Sequence, residues 1–203
     1  MENRRLADFA SKAAETFVSA YYAASDSPQR TQLVPSLYLP TSSILWNGNP
    51  LSGSSELAAL LGSMPGSKHE VQAFDCHALG GALEGAEYQP PSVILTVTGT
   101  VSHHTPESQS AKPESNAPKS TTVGGGGRKR DFDPDAPISS HPRSFSQSFV
   151  LVNVPGQAEG GIACSSTIQQ GPANGNKVNK DPSNQIVLNA RYFAQADSFR
   201  FVG

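Results

Sequence analysis

Few residues in this chain have the chemistry to bind a metal or move a proton, and they are scattered. Cys76 and His77 are neighbours, His103-His104 form a second cluster, and His141 stands alone. Adjacent strand residues project to opposite faces, so Cys76 and His77 do not converge on one ion, and no metal site is expected. Asp75 is the one carboxylate that pairs naturally with a tyrosine (Tyr21, Tyr22 or Tyr38) as the base and hydroxyl donor of a carbonyl-proton site. No spacing in the sequence gathers them around one cavity. Gly124 to Gly127 lacks the Lys-Ser/Thr and the helix of a phosphate loop, and no cofactor is expected. Arg128-Lys129-Arg130 is followed by Asp131, Asp133 and Asp135. It reads either as an RNA contact or localisation signal, or as a solvated linker.

The composition narrows the setting. The 203 residues carry a formal charge of −2, which argues against strong nucleic-acid binding through bulk charge. Two cysteines give no disulfide framework, and a reduced intracellular setting is the default. Charges in Met1 to Ala10 replace the apolar core of a signal peptide, and no apolar run approaches a membrane span of roughly 20 residues.

The positioning elements centre on Ile44 to Leu61. Ile44-Leu45-Trp46 is a short apolar strand, and Asn47-Gly48 is a strong hairpin signal because a type I′ turn needs positive φ twice. Pro50-Leu51 begins the return strand, and Ser52 to Glu56 offers serine oxygens and an acid for a helix start. Ahead of it, Leu6, Phe9, Ala10, Ala13, Phe17 and Tyr21 share one helical stripe ending near Ser25. A shorter second helix follows with Leu33, Leu37 and Tyr38 inward, ended by Pro40.

Strands come next. Glu70 to Leu79 alternates Val71, Ala73, Asp75, His77 and Leu79 against Gln72, Phe74, Cys76 and Ala78. Ser92 to Ser102 sets Val93, Leu95, Val97 and Val101 on one side. Phe145, Gln147, Phe149 and Leu151 alternate with Ser146, Ser148, Val150 and Val152, and Gln185 to Gln195 is a last long strand. Between them, 103–142 and 155–184 are rich in Gly, Pro, Ser and Lys and are expected to be disordered insertions, with little weight given to a strand at Ile162 to Ile168. Helices followed by strands predict an α+β fold: three N-terminal helices on one face of a curved antiparallel sheet, in a single domain spanning 1–203.

The ordered parts resemble the small subunit of the general messenger-RNA export receptor, in the nuclear transport factor 2-like family. The resemblance rests on Phe17-Val18-Ser19-Ala20-Tyr21-Tyr22, Leu45-Trp46-Asn47-Gly48-Asn49 with Ser52-Gly53, Phe74-Asp75-Cys76, Phe145 to Leu151, and Asp197-Ser198-Phe199-Arg200-Phe201. These patches span about two-thirds of the chain in the family's order. The resemblance implies a cone-shaped domain and a non-enzymatic subunit. It implies pairing, sheet to sheet, with the related domain of the large export-receptor subunit. That pair shuttles between nucleus and cytoplasm through nuclear pores, with nucleoporin Phe-Gly repeats bound mainly by the partner, and RNA or ribosomal cargo is a further expectation for the loops.

The family's dimer contact maps onto Asp75 and Arg200. Each has a bland reading as a solvated surface residue and a sharp one as a partner-facing charge. Phe149, Leu151, Tyr192 and Phe199 are expected to divide between core and partner patch. Two other functions remain open: a homodimeric carrier for a small GTPase, and a cone-fold enzyme of the isomerase or dehydratase type built on Asp75 and a tyrosine.

Overall fold

The computed structural model describes residues 2–83, 88–104, 141–157, 159–169 and 185–202. Helix α1 (Glu2–Ser25) buries Leu6, Phe9, Ala10, Ala13, Phe17 and Tyr21, the stripe that the 3.6-residue period selects. Helix α2 (Arg30–Leu33) is a single turn, continued by a 3-10 turn at Pro35–Leu37. Leu37 and Tyr38 are inward as expected, but Leu33 is 43% exposed and Val34 takes the inner place. Pro40 does not end a helix; it lies in strand β1 (Tyr38–Trp46).

Asn47 and Gly48 adopt φ of 46° and 88°, the double positive φ of the expected turn, and strand β2 (Asn49–Ser52) returns along β1. Helix α3 (Gly53–Ser63) starts differently from expectation. The Ser52 side chain makes no cap; instead the Glu56 carboxylate accepts the Ser52 backbone N–H at 2.8 Å. At its other end the Arg30 guanidinium donates to the carbonyls of Met64 and Pro65.

The remaining strands are β3 (Gly66–Leu79), β4 (Ser92–His104), β5 (Arg143–Asn153), β6 (Ile162–Gln169) and β7 (Gln185–Phe201). They complete a seven-stranded sheet in the order β2-β1-β7-β5-β4-β3, with β6 pairing the first half of β7. All pairs are antiparallel except β1 with β7, which is parallel, so the sheet is mixed at that seam. The architecture is the α+β cone, with helices on one face of an open curved sheet.

The strand at 162–169 corrects the expectation of disorder across 155–184. Cys164 is buried, Ile162 packs on the core, and the Lys12 ammonium of α1 donates to the Ser165 carbonyl at 3.0 Å. The same hydrogen bond occupies part of an otherwise exposed strand edge. The rest of the second insertion (170–184) and most of the first (105–140) lie outside the described residues, as do Arg128, Lys129 and Arg130.

Two bulges decide which side chains enter the core. In β3 the pairing jumps from Val71↔Gly99 to Ala73↔Thr98, leaving Gln72 as the extra residue. Opposite this bulge Gly99 has no room for a side chain, since a Cβ would fall 2.2 Å from the Glu70 carbonyl oxygen. In β7 the pairing jumps from Val150↔Ala196 to Leu151↔Ala194, leaving Gln195 extra. Each bulge reverses the inward parity of everything beyond it.

Gly53 joins β2 to α3 at φ +74°, and a Cβ there would lie 2.2 Å from the Pro40 carbonyl oxygen. Gly53→Ala is therefore expected to cost about 2 kcal/mol or more in chemical denaturation, from combined backbone strain and overlap. A loss within about 0.5 kcal/mol, the range of ordinary surface changes, would contradict this packing.

Candidate partner-binding face and buried carboxylate

The sheet's helix-covered face is packed with Val93, Leu95, Val97, Phe145, Phe149, Leu151, Tyr192 and Phe199. Phe149 meets Phe17 and Tyr21 of α1 edge-on at 5.1 and 4.9 Å, and Phe199 stacks on Trp46 at 4.3 Å. The Tyr192 hydroxyl donates to the Pro91 carbonyl at 2.6 Å. Phe149, Leu151, Tyr192 and Phe199 are each no more than 2% exposed. The division between core and partner patch is thus corrected: all four are core. For Phe149 and Leu151 the reason is the period-two alternation of β5; for Phe199 it is the Gln195 bulge.

The opposite face carries their strand neighbours. Asp75, Thr96, Ser148, Ser198 and Leu45 form one row across β3, β4, β5, β7 and β1. His77, Ile94, Val150 and Ala196 form the next. The Thr96 and Ser148 hydroxyls lie 3.3 Å apart. The apolar part gathers at one end, where Leu79 and Ile94 are 56% and 41% exposed beside half-buried Val150 and Val152. The face is thus a hydroxyl-lined centre with an apolar corner.

Asp75 sits on this face, 80% exposed at its side chain. The Gln72 bulge separates it from Val71, which turns to the core, so the simple alternation that grouped the two is corrected. Its Oδ2 lies 3.3 Å from His77 Nε2, and its Oδ1 accepts the N–H of Cys76 at 2.9 Å. Arg200 is also exposed on the open face, opposite Ser146 on β5. Strands β4 and β5 separate the two charges, so they do not pair within the chain. The cation on an aromatic ring is Arg143, 3.8 Å above Phe201, and not Arg200.

The carboxylate that does meet tyrosines is Asp197, buried to 4% exposure. The Tyr38 hydroxyl donates to its Oδ2 at 2.7 Å, and Gln147 Nε2 donates to both of its oxygens at 2.9 and 3.0 Å. The Tyr22 hydroxyl donates to Gln147 Oε1 at 3.0 Å, and the Tyr21 hydroxyl lies 3.0 Å from Gln147 Nε2 and 3.2 Å from the Tyr38 hydroxyl. Burial pushes the Asp197 carboxyl up to about 7, against the opposing pull of its bonds from Tyr38 and Gln147. Burial, reinforced by the Asp197 charge, drives the Tyr21 and Tyr38 hydroxyls well above their ordinary range. Both hydroxyls therefore stay neutral, Tyr38 donating to Asp197 and Tyr21 accepting from Gln147.

Sequence reading selected Asp75 for this constellation and missed Asp197, because plain alternation along β7 from Ile186 and Leu188 turns residue 197 outward; only the Gln195 bulge turns it in. The geometry is that of a sealed polar knot. The cavity beside it, lined by Tyr21, Trp46, Leu61 and Phe199, measures about 20 Å³, room for about one water molecule and not for a carbonyl substrate. Among the described residues no group of three or more His, Cys, Asp or Glu side chains converges as a metal set.

Asp197 binds its proton more tightly in the folded chain, about 7 against an ordinary 3.8, so folding takes up a proton between these values. Its stabilising contribution is full below the lower value and is lost as pH rises through the upper. In melts from about pH 5 to about pH 8, wild type should lose Tm relative to Asp197→Asn by several degrees. Parallel curves would show that the buried carboxyl has an ordinary titration.

The nuclear transport factor 2 (NTF2) domain model matches residues 13–110. The chain is 33% identical over 101 residues to the Bos taurus NTF2-related export protein 2, covering 50% of this chain and 68% of that protein. It is also 33% identical over 92 residues to the Bos taurus NTF2-related export protein 1, covering 45% of this chain and 62% of that relative's length. A chain of the Chaetomium thermophilum Mex67 NTF2-like domain complexed with Mtr2 superposes with a TM-score of 0.52 at 18% identity, covering 100% of both chains. The chain belongs to the NTF2 family, alongside the NTF2-related export proteins.

Proposed function

We propose that this protein is a non-enzymatic subunit of a nuclear messenger-RNA export receptor. It pairs through its open sheet face with the NTF2-like domain of a larger subunit and so supports passage of messenger ribonucleoprotein through nuclear pores. The observation that carries the reading is the uncovered sheet face itself, on a chain of this family. That face holds two charges that do not pair with each other, Asp75 and Arg200, a hydroxyl row and an apolar corner at Leu79 and Ile94. Hydroxyls and a small apolar cluster suit a specific contact with a related sheet, where the corner supplies the desolvated anchor and the charges set register.

Support for a binding role also comes from the inner face. The carboxylate and tyrosines that resemble an acid–base set are occupied with one another and sealed from substrate. On this reading the protein shuttles between nucleus and cytoplasm, Phe-Gly repeats are engaged mainly by the partner, and RNA or ribosomal cargo falls to the segments outside the described residues.

Co-expressed with the NTF2-like domain of a large export-receptor subunit, the chain should elute as a one-to-one heterodimer in size exclusion with light scattering. Ile94→Asp, placing a charge in the apolar corner, should weaken that pair by roughly 2–4 kcal/mol, and Asp75→Arg by roughly tenfold or more in Kd. A stable homodimer of the chain alone, or a heterodimer indifferent to both changes, would refute the sheet-face pairing.

A further inference from the structure

The molecule has a second exposed feature, on the helix side of the sheet edge, that shares Asp75 with the open face at its rim. Strand β3 ends the sheet: among the described residues it pairs with β4 alone. Helix α1 runs beside it on the core side, and between helix and strand lies a groove in two stretches of about 570 and 470 Å³ that meet at Cys76. One stretch sets Leu6 and Ala7 of α1 against Ala78, with Asn3 and His77 as polar neighbours. The other holds the exposed ring of Phe74 beside Asp8 and Glu15, with Asp75 at its rim. Lys12 also borders it, but its ammonium donates to the Ser165 carbonyl on β6, which directs that charge away from the acids.

Strand β3 turns one side of its backbone away from β4, toward this groove. The Cys76 N–H is accepted by the Asp75 side chain at 2.9 Å, so it points outward from the sheet and takes no part in the ladder to β4. Along a strand the N–H and C=O of alternate residues share a direction, so Phe74 and Ala78 present theirs on the same side. The Asp75 carboxylate thus acts as a local stopper on an edge that would otherwise template another strand.

We infer that the β3 edge from Ala73 to Leu79, together with the flank of α1, is a docking groove for an extended peptide that alternates apolar and cationic side chains. Such a peptide adds a strand to the sheet through the outward groups of Phe74, Cys76 and Ala78. Its cationic side chains meet Asp8 and Glu15, and its small apolar ones rest on Leu6, Ala7 and Ala78. Asp75 leaves the Cys76 N–H to the peptide, its carboxylate remaining on the open face. Specificity is then split: the backbone supplies sequence-independent attraction, and the helix supplies charge selection. Apart from Asp75 at the shared rim, the groove uses the helix side of β3 and the pairing uses the open face, so peptide binding and subunit pairing are compatible.

The test uses the full chain and a fluorescein-labelled probe, acetyl-Lys-Val-Arg-Val-Ala-Val-Ala-amide, read by fluorescence anisotropy. Saturable binding is expected, with amide chemical-shift changes at Phe74, Cys76 and Ala78. The double variant Asp8→Lys with Glu15→Lys, confined to exposed helix positions, should weaken the probe roughly tenfold or more. Cys76→Pro, which deletes the outward N–H while sparing the ladder to β4, should abolish binding. A probe with Glu in place of Lys and Arg should not bind. Absence of saturable binding, undiminished affinity in the double variant, or shifts confined to Thr96, Ser148 and Ser198 would overturn the inference. The last three residues belong to the open face, so that outcome would leave the subunit-pairing proposal standing.

Discussion

A single buried carboxylate ties the cone together. Asp197 of β7 receives the hydroxyl of Tyr38 from β1 and the amide of Gln147 from β5, and Gln147 in turn receives Tyr22 from α1. Four elements remote in sequence thus share one hydrogen-bonded knot beneath the helix. Burying an acid this deeply is costly unless its lone pairs are met, and here they are met by donors that remain neutral because they too are buried. The knot fixes the parallel seam between β1 and β7, the one place where the sheet departs from antiparallel pairing.

The consequence is that chemistry available to a partner is displaced to the other side of the sheet. Residues adjacent in sequence to the knot, Ser146, Ser148 and Ser198, project outward because the strand period leaves them no alternative, as does Arg200 two residues further on. The inner and outer faces are therefore two readings of the same strands: Phe149 and Leu151 for the core, Ser148 and Val150 for the surface. Packing demands on one face are relaxed on the other, where hydroxyls line the centre and apolar side chains gather near Leu79 and Ile94, with Leu45 at the β1 end of the hydroxyl row.

Much of this was legible in the residues. The helical stripe of α1, the Asn47-Gly48 turn and the alternation of β4 and β5 follow from short-range rules that packing then reinforces. The bulges were not legible. A residue is extra only relative to its partner strand, and Gln72 and Gln195 have nothing in their own chemistry that marks them. The first is permitted by Gly99 across the ladder, a long-range fact. Without the second, Asp197 reads as an outward residue, which is why the buried acid escaped attention and Phe199 was offered to a partner. Strand β6 carries little weight in the sequence for a related reason: its strand character comes from pairing with β7 and from cover by α1, and not from its Gly-rich flanks.

The central claim is that the inner face is closed and the outer face is where a second protein docks. Ser148, at the middle of the hydroxyl row, reports on it directly. A Ser148→Cys chain should react quickly with a thiol reagent when alone, above the background of Cys76 and Cys164. Pairing with the NTF2-like domain of a large export-receptor subunit should suppress that reaction nearly completely. An unchanged labelling rate in a demonstrably one-to-one complex would place the contact elsewhere and contradict the account.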